Sequence, residues 1–216
     1  LLRSSLGLLG IIIWFTAILN IPISDATAIN FLNPIFAMLF AIYFLKEKIG
    51  IIRWSGAIFS FLGGLLLIRP NLNFDFNPYA LLCIFGAISM GFEIICIKYL
   101  SNKEDLFRIL LINNAIASLI CSLSLPFIFK MPNINELLTL IAVAVCFLLG
   151  QIFFLNSMKR ADASFVMPFF YSTLIFVMIL DFLIFSYIPD WVSFLGCFII
   201  IVGALIISLK ERENKY

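Results

Sequence analysis

Charged and amide side chains are scarce inside the apolar stretches of this sequence, so each one found there carries chemical weight. Glu93 lies in the run at 78–99 and Asp181 in the run at 163–186. A carboxylate in hydrocarbon is costly, which makes it a functional candidate by default. Glu93, about 8 Å from the nearer end of its run by helical rise, can bind a cationic solute or carry a proton. Equally, it can pair with Lys98 or with a charge on a neighbouring helix and snorkel toward the interface. Asp181 lies close to the following loop, where a vestibule or an end contact suits it better.

Two polar faces repeat a pattern. Thr27, Asn30 and Pro34 share one face of a helix at i, i+3 and i+7, and Ser164, Pro168 and Tyr171 share another. Proline removes an i→i−4 hydrogen bond and frees a carbonyl. Such broken backbone is tolerated in a membrane where it lines a cavity; the plainer reading is a kink with hydrogen bonds between helices. Asn113, Asn114, Gln151 and Asn156 add further amides, and the adjacent Asn113 and Asn114 must point to different neighbours. The residues expected to line a substrate path are Thr27, Asn30, Pro34, Glu93, Gln151, Ser164, Pro168 and Tyr171. No metal site and no cofactor are expected.

The elements that position these residues follow from composition. Of 216 residues 63% are hydrophobic and only 12% are charged. An ordinary soluble domain is about 45–50% apolar and about 25% charged. A net charge of +2 is too small for a polyanion-binding surface, so no nucleic-acid partner is expected. The chain reads as an all-α, polytopic bundle of transmembrane helices, because the apolar runs are continuous rather than alternating as in a membrane β-barrel. Eight runs fall near 4–20, 26–45, 51–69, 78–99, 106–128, 136–157, 163–186 and 191–209, separated by charges, Pro and Asn. There is no His, which removes Ser-His and Cys-His catalysis, and no clustered acid pair, so an enzyme is not expected. Cys83, Cys96, Cys121, Cys146 and Cys197 each stand alone in an apolar run, which suits small buried residues rather than disulfides.

Twelve of the 14 basic residues fall on one side of this arrangement, with Arg69 and Lys130 on the other. The positive-inside rule then places both termini in the cytoplasm. Trp54, Trp191, Tyr79 and Tyr99 fall near run ends, as an interfacial belt would. The first run lacks the charged region and cleavage site of a signal peptide. The chain begins with Leu, which leads to the expectation of a missing start or a longer product.

Gly56-x6-Gly63 recurs as Gly196-x6-Gly203, and Asp25-Ala26-Thr27 recurs as Asp162-Ala163-Ser164. The offset, about 140 residues, spans five runs, an odd number, so the two copies run oppositely through the membrane. The repeat divides the chain into 1–75, three helices of a first unit, and 76–216, five helices of a second.

These residues, with Phe44-Leu45-Lys46-Glu47-Lys48, Arg53-Trp54, Asn77-Pro78, Ala87-Ile88-Ser89, Tyr171 and Pro189, resemble the EamA-type members of the drug/metabolite transporter superfamily over nearly the whole chain. Within it the nearest echo is the bacterial S-adenosylmethionine uptake group, through Ala87-Ile88-Ser89, Glu93, Ile95, Lys98 and Lys103-Glu104. The resemblance implies two inverted five-helix repeats around a central cavity, with both termini cytoplasmic. This chain departs from it by lacking the first two helices, by Tyr187 where an acid is common, and by Phe170 and Thr173 where charges follow the proline in that uptake group.

The expected function is secondary transport of a small metabolite, amino-acid-like or S-adenosylmethionine-like, across a bacterial inner membrane. Without a nucleotide-binding loop the energy must come from a gradient or from exchange. The alternative is a truncated remnant without transport, or a subunit acting by assembly. The partners expected are the solute, the bilayer and, to close the face left bare by the missing helices, a second copy in a homodimer. The same reasoning expects these residues alone not to transport until a two-helix N-terminal segment is added.

Overall fold

The structure is a computed structural model that describes residues 2–70, 78–128, 131–186 and 188–213. Among these residues every regular element is helical. The order is α1 (Leu2–Ile18), α2 (Ile23–Asn30), α3 (Asn33–Phe40) with a wider π turn at Ala41–Leu45, α4 (Ile51–Ile68), α5 (Pro78–Ser101), α6 (Leu106–Ile128), α7 (Ile134–Arg160), α8 (Ala163–Val166) with a 3-10 turn at Met167–Tyr171, α9 (Ser172–Phe185) and α10 (Trp191–Glu213). Asn77, Lys130, Tyr187 and Lys215, used above for the resemblance or for orientation, lie outside the described residues.

Among the described residues six helical stretches are long and apolar enough to cross a membrane: Ile23–Leu45, Ile51–Ile68, Pro78–Ser101, Ile134–Arg160, Ala163–Ile184 and Trp191–Leu209. Leu2–Ile18 and Leu106–Ile120 are apolar but shorter. The protein is thus a multi-pass helical membrane protein. The runs expected at 26–45 and 163–186 are each broken. In the first, the chain leaves the helix at Phe31 and Leu32 and re-enters with Pro34 in the first turn, where its missing N–H costs nothing. In the second, Pro168 sits in the tighter 3-10 turn.

The core joins the two stretches. Ala37, Met38, Ala57, Ile94, Leu155, Met158, Ala163 and Met167 form its buried centre, drawn from α3, α4, α5, α7 and the second broken stretch. A second cluster of Ala17, Ile21, Ala26 and Cys83 pins α1 and α2 to α5. By contrast, residues 134–150 of α7 are exposed throughout.

The closest helix pair is α4 with α10. A methyl group at Gly63 would stand 2.7 Å from the Gly196 carbonyl oxygen, and one at Gly203 would stand 2.7 Å from that of Gly56. Gly63 meets Gly196 and Gly56 meets Gly203, so the two helices run antiparallel with their backbones in contact. Only glycine permits that approach, and in a membrane close packing takes the place of hydrophobic association. At one end Arg69, in a left-handed conformation with φ 49°, closes α4 and pairs with Asp190 ahead of α10.

Candidate functional site

The two breaks meet each other. Where helix α2 stops, its last turn leaves carbonyls without helical donors. Tyr171, from the 3-10 turn of the other half, donates its hydroxyl to the Phe31 carbonyl at 2.8 Å. The Phe31 and Tyr171 rings stack at 5.8 Å, Phe170 lies 5.9 Å from Phe31, and Phe61 stands edge-on to Tyr171 at 6.1 Å. Pro34, Pro168 and Tyr171 are fully buried in this contact. The shared proline-bearing faces therefore come together, each buried against the other.

Thr27 and Asn30 stand beside the break, half-buried. The break re-aims the next amide. Asn33 is buried, its Nδ2 lies 4.0 Å from the Met90 sulfur, and its Oδ1 is buried without a hydrogen-bond donor among the described residues. Straight helical spacing singles out Asn30; the interruption after it turns Asn33 inward instead. Asn113 accepts from Ser4 of α1 at 3.1 Å, whereas Asn114 donates to Gln151 of α7 at 3.3 Å. Adjacent amides thus serve different helices, and Gln151 is spent on one of them. Asp181 is half-buried on α9.

A second constellation gathers at the basic end, the end that carries Lys46, Lys98 and Lys159. The Glu47 carboxylate accepts the backbone N–H groups of Ala163 and Ser164 at 2.9 and 3.0 Å. These are orphan donors at a helix start, where a carboxylate is favoured by both hydrogen bonding and the helix dipole. Arg53 crosses the same gap, donating to Asp162 at 2.9 Å and to the Ser164 hydroxyl at 2.8 Å. Lys98 caps the end of α7, donating to the Met158 and Ala161 carbonyls, both at 2.7 Å. Residues from 47 to 53 therefore latch the start of the second broken stretch. Ser164 was singled out by its spacing; Glu47, Arg53 and Asp162 were visible only as motif residues, with no spacing that announced a cap.

Glu93 faces α1. Its Oε1 stands 3.7 Å from Arg3 Nε, an ion pair longer than a hydrogen bond, with the two side chains 21% and 8% exposed. Gly7 clears space for that carboxylate, since a methyl group there would lie 2.7 Å from Glu93 Oε2. Ser89, one turn away, donates to the Leu6 carbonyl at 3.0 Å. The charge beside Glu93 is thus Arg3 of a neighbouring helix, whereas Lys98 is turned to the end of α7.

The comparisons with known proteins agree with this architecture. A solved structure described only as that of a protein superposes with a TM-score of 0.84 at 19% identity, covering 99% of this chain and 77% of the other, which is a likeness of fold. The chain is 29% identical to an S-adenosylmethionine uptake transporter of Rickettsia felis, over 99% of its own length and 72% of the relative's. It is 27% identical to the pseudopaline exporter CntI of Pseudomonas aeruginosa, over 98% and 75%, and 30% identical to a riboflavin transporter of Vibrio cholerae, over 99% and 72%. The EamA-like transporter family matches residues 1–69 and 77–209. With all but residues 70–76 and 210–216 matched and relatives similar over nearly its whole length, the chain belongs to the EamA-like transporter family.

Proposed function

We propose that this protein is a secondary transporter that carries a small metabolite across the bacterial inner membrane by alternating access between two inverted repeats. The observation that carries the reading is the meeting of the two broken helices, one from residues 1–75 and one from 76–216, at the Tyr171–Phe31 hydrogen bond. Discontinuous helices that meet at the interface of two repeats are where transporters place their solute sites. Two further features support the inverted repeat. The α4 and α10 glycines pair antiparallel. Lys46 and Ser186 close the two broken stretches with the same left-handed turn, at φ 56° and 54°, and stand 140 positions apart (186 − 46).

In this reading eight helices span the membrane, with the two shorter apolar helices tilted little or thinning the bilayer locally. The basic end faces the cytoplasm. Thr27, Asn30 and Asn33 line the solute path beside the break, and the Glu47–Arg53 latch closes its cytoplasmic end. The latch and the Tyr171 contact are the groups that must separate for the path to open.

The solutes to try first are those named for the relatives: S-adenosylmethionine, riboflavin and pseudopaline. Those names include both uptake and export, so counterflow in proteoliposomes, which reads exchange in either direction, is the appropriate assay. Saturable counterflow of one of these solutes is expected. None with any small metabolite would sink the reading. Orientation is tested separately, with single cysteines in a cysteine-free background. An impermeant thiol reagent added outside the cell should label Pro132→Cys and leave Arg160→Cys untouched.

A further inference from the structure

The start of α8 is capped from outside although a good cap stands in its own chain. Asp162 occupies the N-cap position with φ −60° and ψ 145°, the extended geometry that this position requires. Aspartate is among the preferred residues there, because its carboxylate ordinarily accepts the N–H two or three residues on. Here it makes no such bond. Its carboxylate is drawn to Arg53 at 2.9 Å, and Glu47 takes the Ala163 and Ser164 N–H groups instead.

The two possible caps come from different parts of the molecule. Glu47 precedes α4 and Arg53 lies on it, both within residues 1–75. Asp162 is continuous with the helix it precedes, which runs on through the 3-10 turn to Ile184 as one apolar stretch of 22 residues. Lys98 of α5, also within residues 76–216, fixes the connector through the Met158 and Ala161 carbonyls. Parting of the two halves therefore removes Glu47 and Arg53 together and leaves the N-cap backbone held by Lys98. The Asp162 side chain is 50% exposed and has room to turn. From the N-cap position a carboxylate reaches the second or third N–H of its helix, here that of Ser164 or Phe165; the first, that of Ala163, is not among them.

We propose that Asp162 is a substitute cap: as the latch parts, its carboxylate leaves Arg53 and takes over the Ser164 N–H that Glu47 gives up. While the latch is closed, Arg53 keeps the substitute idle. The exchange lowers the free energy of opening, because the positive end of the helix trades one carboxylate for another instead of losing its anion. It also makes the latch reversible, since Arg53 withdraws Asp162 again as Glu47 returns. The proposal deepens the transporter reading, on which the parting of the halves rests, by naming the residue that makes the cytoplasmic end separable.

The test is amide hydrogen exchange on the purified full chain in phosphatidylcholine nanodiscs, resolved at Ala163 and Ser164. Glu47→Ala stands in for the parted latch. It should lower protection at both amides, and more at Ala163, which Asp162 does not reach. Adding Asp162→Ala should lower protection at Ser164 about fivefold further, the scale of a lost N-cap, and leave Ala163 as it was. Adding Asp162→Asn instead, which keeps a capping side chain, should spare Ser164. Adding Arg53→Met to Glu47→Ala frees Asp162 and should raise protection at Ser164, an increase that a merely structural ion pair does not give. If Glu47→Ala does not fold, Glu47→Gln carries the same comparisons at smaller amplitude. Equal loss at Ala163 and Ser164 overturns the proposal, as does Ser164 protection that is indifferent to Asp162→Ala or that falls on adding Arg53→Met. In counterflow, Asp162→Asn should exchange solute several-fold faster than Asp162→Ala, and equal rates would overturn the role in opening. Cap exchange without counterflow of any solute would refute transport and leave the substitute cap standing; counterflow without cap exchange would do the reverse.

Discussion

The Tyr171 hydroxyl donates to the Phe31 carbonyl across 2.8 Å, so that one broken helix closes the end of the other. The tyrosine side chain is fully buried, and Pro34, three residues after Phe31, has no N–H to offer. Tyr171→Phe keeps the ring stack and deletes only the hydroxyl, leaving a carbonyl unsatisfied. The expected cost is about 1–3 kcal/mol of stability, read as a lower midpoint of thermal unfolding in detergent. An unchanged midpoint would show that the Phe31 carbonyl is satisfied some other way.

The glycine pairs of α4 and α10 give a sharper contrast. Gly63→Ala and Gly203→Ala force a methyl group against backbone oxygens of the partner helix at 2.7 Å. Overpacking of this kind costs about 1–3 kcal/mol. Gly150→Ala, on the exposed face of α7 with open space around it, relieves a mid-helix glycine and should be neutral or slightly stabilising. The same thermal assay separates them, and equal effects at the three positions would refute the close approach of α4 and α10.

These two sites also show what the sequence makes legible. The recurring Gly-x6-Gly motif is legible in the sequence as a repeat, and the structure adds that its two copies pack against each other. The proline-bearing faces fall on the two broken stretches that meet, yet a periodic helix could not tell that the chain breaks after Asn30 and turns Asn33 inward. Arg3 was counted only for orientation. Its location just ahead of an apolar run, four before a glycine, was the available signal, but a partner 90 positions away on α5 is set by tertiary packing, which leaves no local trace. Glu47 and Asp162 were hidden for the same reason: each looks like a loop charge until the two halves are brought together.

Glu47 caps a helix that belongs to the other half of the molecule. Glu47→Ala releases two backbone donors at the start of the second broken stretch and should cost about 1–2 kcal/mol. Glu47→Gln, which retains a side-chain acceptor, should cost less. Hydrogen exchange of the Ala163 and Ser164 amides checks this directly, since protection there should fall in the alanine variant while protection in α10 is unaffected.

Asp190 reports on the opposite end. Hydrogen bonds from Arg69, and then from Ser193, hold its carboxyl well below the usual carboxylate range. A depressed value means that the pairing contributes fully above the ordinary aspartate pKa, about 3.9, and is lost as pH falls through the lower folded value. The difference in unfolding midpoint between the native protein and Asp190→Asn should therefore be level from neutral pH down to about 5 and shrink only below about 4. Because both partners are exposed, it should also shrink in high salt. A difference that grows on acidification would contradict this assignment.

Alternating access is tested most directly by locking the latch. With Cys83, Cys96, Cys121, Cys146 and Cys197 replaced, Glu47→Cys and Ser164→Cys place two thiols where a carboxylate now bonds the Ser164 N–H. Counterflow is measured in proteoliposomes after oxidation and again after reduction. The expected result is no exchange while the disulfide holds and recovery when it is reduced, with each single-cysteine protein active under both conditions. Exchange that continues at full rate through the oxidised, crosslinked protein would contradict the proposal that the two halves part at this end to carry solute.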